Sequence, residues 1–213
     1  RENKIIENKD KEDIPIAELQ KALTIIEAIN KKNIDKTDAI GHSEGGLNLA
    51  IAASLYPEKF RNLVFLSPAG MMGKKDSFLD LIKRFTVDEG VNEIKNRENS
   101  NINSFYDYVK NIIKYVSKNP SLAIEEAKEI NSTDIFKMFE HLKEQGVGVG
   151  LVCGANDKVF PIEEVIKNAN EKNVDYLVLT KGHHGSFVLN EDHVLLAENL
   201  LTNMARNKES KSD

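Results

Sequence analysis

A chain of 213 residues, 40% hydrophobic and 30% charged, is long enough for one domain with a substantial core. Its net charge of −5 comes without a long basic block, which argues against a nucleic-acid partner, and its single cysteine, Cys153, excludes a disulfide framework. No apolar run reaches the ~18 residues of a membrane span; residues 1–13 are polar and charged without a secretory-signal pattern, so a cytoplasmic protein is the default expectation.

Apolar residues at Leu19, Leu23, Ile26 and Ile29 recur at helical spacing and predict an amphipathic helix over 16–30. A β-prone run at 37–40 then leads into Gly41-His42-Ser43-Glu44-Gly45 and a small-residue helix over 45–54. Strand, sharp turn and helix with a serine at the tip is the pattern of a nucleophile elbow. On so tight a turn, side chains at Gly41 and Gly45 are expected to collide with the neighbouring strand and helix. The helix N-terminus faces the serine and favours negative charge there, which makes the backbone N–H of Glu44 a candidate oxyanion donor. The competing reading of the same residues is a plain Gly/Ser turn before a packed helix.

Tyr56-Pro57 ends that helix, and 62–66 reads as a buried parallel-type strand closed by Ser67-Pro68. Met71 and Met72 then either fill core or line an acyl pocket. Residues 73–145 are lysine-rich and helical in pattern: Phe78, Leu81, Ile82 and Phe85, then Phe105, Tyr108, Val109, Ile112, Ile113 and Val116, are spaced as helix faces. A loop is expected at 98–103 and further helices over 121–130 and 134–145, the last capped by Asp134. A connection of this length exceeds an ordinary loop and reads as a helical insertion over one end of the sheet, with helices of the main layer as the alternative.

Strand character resumes at 147–153 and ends in Gly154-Ala155-Asn156-Asp157 before a helix over 162–172. A last strand over 174–180 runs into Gly182-His183-His184-Gly185, and a final helix covers 191–205. Strands alternating with helices predict an α/β fold with a mainly parallel sheet, whose functional groups gather beyond the carboxyl ends of the strands. Ser43, Asp157 and the His183/His184 pair all fall there, in the chain order Ser, Asp, His. Asp157 has a plainer reading as a helix cap. The His, Cys, Asp and Glu spacings form no metal cluster.

Taken together, Gly41-His42-Ser43-Glu44-Gly45-Gly46, Tyr56-Pro57-Glu58, Gly154-Ala155-Asn156-Asp157 with Pro161, and the Gly-His loop at 182–184 resemble an α/β-hydrolase-fold protein. The resemblance implies a core of 14–72 and 146–205 with 73–145 as a helical cap over the site. It also implies acyl transfer by a triad of Ser43 as nucleophile, Asp157 as the orienting acid and a loop histidine as base, on a small-molecule acyl substrate and with no cofactor. Either histidine fits the family loop; counting back from the final helix favours His184 over His183. His42 resembles the packing histidine of relatives with Gly-His-Ser, while His141 and His193 read as surface or packing residues.

The family sheet has eight strands with the serine after the fifth. The earlier strands, and the loop that carries the family's second oxyanion donor, have no counterpart in this sequence. The expected fold is therefore α/β-hydrolase-like but N-terminally shortened, with the strand before Ser43 as an exposed edge that invites self-association. Two functions follow: a serine hydrolase cleaving a carboxylic ester or related acyl bond, or a shortened, non-catalytic relative that binds a ligand or partner.

Overall fold

The computed structural model describes residues 16–72, 80, 83–89, 110, 111, 113–170 and 172–209. The sequence expectations for Phe78, Leu81 and Ile82, for Phe105, Tyr108, Val109 and Ile112, and for the loop at 98–103 lie outside the described residues.

Helix α1 (Ile16–Lys31) carries Ala22, Ile26 and Ile29 on its buried face. Strand β1 (Thr37–His42) passes directly into helix α2 (Ser43–Leu55), which begins at the serine itself, two residues before the expected start. Apolar and small residues surround α2 on all sides because it is packed on all sides: Leu47, Leu49, Ala50, Ile51, Ala52 and Ala53 are all buried. A single 3₁₀ turn, Pro57–Lys59, leads to β2 (Phe60–Leu66). Beyond it come a π-helical turn, Arg84–Asp88, and helices α3 (Pro120–Ser132) and α4 (Ile135–Glu144). Asp134 caps α4 by accepting from the N–H of Phe136. The chain continues through β3 (Gly148–Gly154), α5 (Ile162–Asn168), β4 (Tyr176–Thr180), the short α6 (Ser186–Leu189) and α7 (Glu191–Glu209).

The four strands form one parallel sheet in the order β1-β2-β3-β4. Its two faces are apolar for different partners. Leu63, Phe65, Val149, Leu151 and Cys153 belong to the core shared with α1, α2 and α4, whereas Val64, Leu66 and Val152 pack with Phe187, Ala197, Leu200 and Met204 of α6 and α7. Met71 is buried in the first of these cores. Strand β4 is a sheet edge and leaves Leu177 and Leu179 exposed. Helix α4, which the sequence reading assigns to the insertion, packs against α2 and β3 through Ile135, Phe136, Phe139 and Leu142. Among the described residues no helix is long and apolar enough to cross a membrane.

Register sets where the loops emerge. His42 pairs with Leu66, Leu66 with Val152, and Gly154 with Thr180, so the carboxyl ends of the strands finish at one end of the sheet. The segments following β1, β3 and β4, which carry Ser43, Asp157 and His184, therefore leave the sheet at that same end.

Candidate active site

Ser43 is one of three non-glycine residues with positive φ among the described residues, at +52°. A β-strand turning into a helix within one residue requires that left-handed backbone, and L-residues adopt it at a cost that the surroundings must hold. Two glycines allow the surroundings to close in. A Cβ on Gly41 would sit 2.7 Å from the Cα of Gly46, and one on Gly46 would sit 2.8 Å from the Cβ of Pro68. Gly45 behaves differently from the sequence expectation: a Cβ there would meet nothing within 4 Å, because the residue faces outward from the first turn of α2. The close-packing role belongs to Gly46, one position later. The N–H of Ala69 donates to the carbonyl of Ser43 at 2.9 Å and ties the elbow to the end of β2.

Asp157 is buried in the turn after β3. Its Oδ1 accepts from the N–H groups of Val159 at 2.8 Å and Phe160 at 2.9 Å, which fixes the carboxylate plane and leaves Oδ2 facing His184. The expected role as cap of the following helix does not apply, since α5 starts beyond Pro161; the carboxylate organises its own turn instead. Burial pushes its pKa up, but the adjacent His184 and the N–H of Phe160 outweigh that and hold the carboxyl below the usual range.

His184 lies in the loop after β4, and that loop is cross-linked to the one after β3. The N–H of Ala155 donates to the carbonyl of Thr180, and that of Asn156 to the carbonyl of Gly182. Within the loop, the N–H of His183 donates to Ser186 Oγ, and that hydroxyl donates to the carbonyl of His183. The His184 ring spans the gap between the other two groups: Nδ1 lies 3.0 Å from Asp157 Oδ2 and Nε2 lies 3.0 Å from Ser43 Oγ. A carboxylate oxygen only accepts, so Nδ1 carries the proton and Nε2 presents its lone pair to the serine hydroxyl. Ring centroids of His42 at 4.9 Å, Phe160 at 5.2 Å and Phe85 at 5.3 Å surround the imidazole, whose side chain is 1% exposed.

The two neighbouring histidines thus occupy different settings. His183 points elsewhere, with Nδ1 2.9 Å from Glu89 Oε1. His42 donates Nε2–H to the backbone carbonyl of His184 at 3.1 Å. Burial, reinforced by the neighbouring His184, pushes the His42 pKa down to about 3, so its ring is neutral at ordinary pH. His141 is exposed on α4, and His193 meets Phe187 edge to face with ring centroids 5.0 Å apart.

Glu44, the residue after the serine, has its side chain in an ion cluster. The ammonium of Lys21 binds the carboxylates of Glu18, Glu44 and Glu126, at 3.1 Å for Glu18 and 2.5 Å for Glu126, and the hydroxyl of Tyr115 donates to Glu126 at 2.6 Å. These three carboxylates have the spacing of a metal site, but the ammonium lies among them and supplies the positive charge. Burial first, and the charge of Glu44 second, raise the pKa of Glu18 to about 7. Nothing local marks Lys21, Glu18, Glu126 or Glu89, because solvated carboxylates and ammoniums are the ordinary case for such residues.

Chemically, the arrangement offers a hydroxyl poised for deprotonation, a base oriented by a buried carboxylate, and a helix N-terminus beside them for developing negative charge.

Comparison with known proteins agrees with this architecture. Residues 6–89 match the family described as alpha/beta hydrolase fold, a span that includes Ser43 and stops before Asp157 and His184. Among characterised proteins compared by sequence, none matches. Solved structures with similar folds include an alpha/beta hydrolase enzyme from a sediment metagenome of the Mar Chica lagoon in Morocco, with 16% identity and a TM-score of 0.50 over 88% of this chain and 69% of that one. The enol-lactonase of Burkholderia xenovorans has 12% identity and a TM-score of 0.53 over 85% of this chain and 70% of that one. An esterase of Exiguobacterium antarcticum has 13% identity and a TM-score of 0.58 over 86% of this chain and 72% of that one. At these identities the likeness is one of fold.

Proposed function

We propose that this chain, whose fold is that of the α/β hydrolases, is a serine hydrolase acting on a carboxylic ester or a closely related acyl bond of a small molecule. The observation that carries the reading is the line of Ser43 Oγ, His184 Nε2, His184 Nδ1 and Asp157 Oδ2, with 3.0 Å at each hydrogen bond. A serine on a strained turn has no structural need for such a chain of partners, whereas nucleophilic catalysis requires it.

In this mechanism Ser43 Oγ attacks the acyl carbon while its proton passes to His184 Nε2. The imidazolium is held by Asp157, whose carboxylate stays ionised. The carbonyl oxygen becomes an oxyanion beside the N-terminus of α2, where the Glu44 N–H is the assigned donor; one such donor is worth about 10²–10³ in rate. Collapse expels the alcohol, which takes the proton from Nε2. Water then attacks the acyl-enzyme with His184 again as base, releasing the acid and restoring the serine.

The insertion 73–145 is assigned as a cap that shapes the acyl and alcohol sites. Its last helix, α4, packs on α2 and β3, which supports an insertion seated on the core. The ester class is suggested by the esterase and lactonase names among the structural neighbours. A p-nitrophenyl ester series from acetate to laurate tests the assignment. Hydrolysis by the wild type that is lost in Ser43→Ala is expected. A folded wild type that cleaves none of the esters, or a Ser43→Ala variant that cleaves them equally, contradicts it.

A further inference from the structure

The peptide group between His184 and Gly185 is gripped at both ends. Its carbonyl accepts from His42 Nε2–H at 3.1 Å, and its N–H donates to Glu89 Oε1 at 2.9 Å. The same Oε1 lies 2.9 Å from His183 Nδ1, so one carboxylate oxygen binds the residues on both sides of His184. Glu89 stands at the end of the π-helical turn Arg84–Asp88, and Phe85, four residues earlier, contacts the His184 ring itself. A single short stretch of the insertion therefore holds the loop with one side chain and the ring with another.

Glu89 is 2% exposed, and its Oε2 has no hydrogen-bond partner among the described residues. Burying a carboxylate is costly, and leaving half of it unpartnered adds to the cost. Packing alone gives no reason for an acid here. Among the described residues its bonds all serve the segment that carries His184, and a misplacement of a catalytic group by about 1 Å costs up to ~10² in rate.

The geometry points to Glu89 as a positioning residue for His184, through which the docked insertion sets the orientation of the base. This rests on the proposed role of His184. Glu89 transfers no proton in the reaction; it fixes the peptide from which the imidazole projects, while Asp157 fixes the ring. The consequence is coupling: the base is held in line with Ser43 only while the 83–89 turn is seated on the His loop, so the insertion contributes to assembly of the site as well as to its cover.

The test compares Glu89→Met, which keeps the volume and removes the acceptors, with Glu89→Gln, which keeps an oxygen for the Gly185 N–H. Two readouts are taken on variants shown to be folded by circular dichroism: the rate of labelling by a fluorophosphonate, and the downfield NMR resonance of the His184 Nδ1–H in ¹⁵N-histidine-labelled protein, assigned with Asp157→Asn. Glu89→Met is expected to lower the labelling rate about tenfold or more and to shift or broaden the His184 resonance, with Glu89→Gln recovering most of both. Unchanged resonance and labelling in Glu89→Met overturn the proposal. If Glu89→Met does not fold, Glu89→Gln compared with Glu89→Asp decides: a shorter acid that cannot reach Gly185 should lose what the amide keeps, and the reverse order overturns it. Should the wild type fail to label, the hydrolase reading falls, and the His184 resonance still decides whether Glu89 positions the ring.

Discussion

His42 Nε2 donates to the backbone carbonyl of His184 at 3.1 Å, so the residue that precedes Ser43 holds the residue proposed to activate it. The bond places the ring proton on Nε2, and burial keeps the ring neutral by lowering the pKa to about 3. Replacing His42 by Phe keeps the ring contacts and leaves the carbonyl without its donor. Turnover should fall about tenfold, the equivalent of one buried hydrogen bond, in a protein that still folds. Steady-state ester hydrolysis checks this.

The same residue predicts a pH dependence of stability. The folded pKa of His42 lies below its ordinary value of 6.5, so folding favours the neutral ring. Its contribution is complete above 6.5 and is lost as the pH falls from there toward 3, because the unfolded chain takes up a proton that the folded one excludes. Urea unfolding of His42→Phe against wild type across that window should show the variant losing less stability on acidification. Equal losses would contradict the burial of a neutral ring.

Glu18 carries the opposite sign. Its pKa is raised from 4.5 to about 7, chiefly by burial and then by Glu44, so the folded state favours the protonated acid. That stability is fully present below 4.5 and declines as the pH rises through about 7. Glu18→Gln should therefore be more stable than wild type at pH 8, by on the order of 1–2 kcal/mol, and the difference should shrink at pH 5. Denaturant melts at the two pH values measure it. A variant less stable at pH 8 would mean that the ionised carboxylate contributes more through Lys21 than its burial costs.

The two glycines after Glu44 should respond differently to alanine. Gly46 has Pro68 within 2.8 Å of a new Cβ, and Gly45 has nothing within 4 Å. Gly46→Ala should cost about 1–3 kcal/mol through overpacking at the elbow. Gly45→Ala should fold at least as well as wild type, since alanine in a helix is favoured over glycine by ~1 kcal/mol. Thermal unfolding of the pair distinguishes them, and equal destabilisation would contradict the packing described for the turn.

Much of this was legible in the sequence, for identifiable reasons. Continuous apolar runs at Leu63–Leu66 and Val149–Cys153 (both interior strands) carry an unambiguous strand signal, and Pro57 and Asp134 mark element boundaries by chemistry that acts locally. Ser43, Asp157 and the two histidines stand out because glycine-rich loops following strands are where such groups collect. What the sequence could not show depends on contacts between distant segments. Gly45 and Gly46 differ only in what lies opposite them, and Pro68 is brought there by the β1–β2 pairing. Glu89 is separated from His183 by the whole of α3, α4, β3, α5 and β4, and nothing in its neighbourhood marks it among other acids. The part-buried Lys21 cluster escapes for the same reason: its members come from α1, α2 and α3, and only their convergence distinguishes them from solvated charges.

The central claim is that His184 activates Ser43, and labelling by a fluorophosphonate probe tests it most directly. Wild type, Ser43→Ala, His184→Ala and His183→Ala would be compared at equal concentration and shown to be folded. The account predicts labelling of the wild type, none in Ser43→Ala, a loss of at least about 10² in rate for His184→Ala, and a much smaller effect for His183→Ala. Labelling that survives in Ser43→Ala, or that depends on His183 in place of His184, would contradict it.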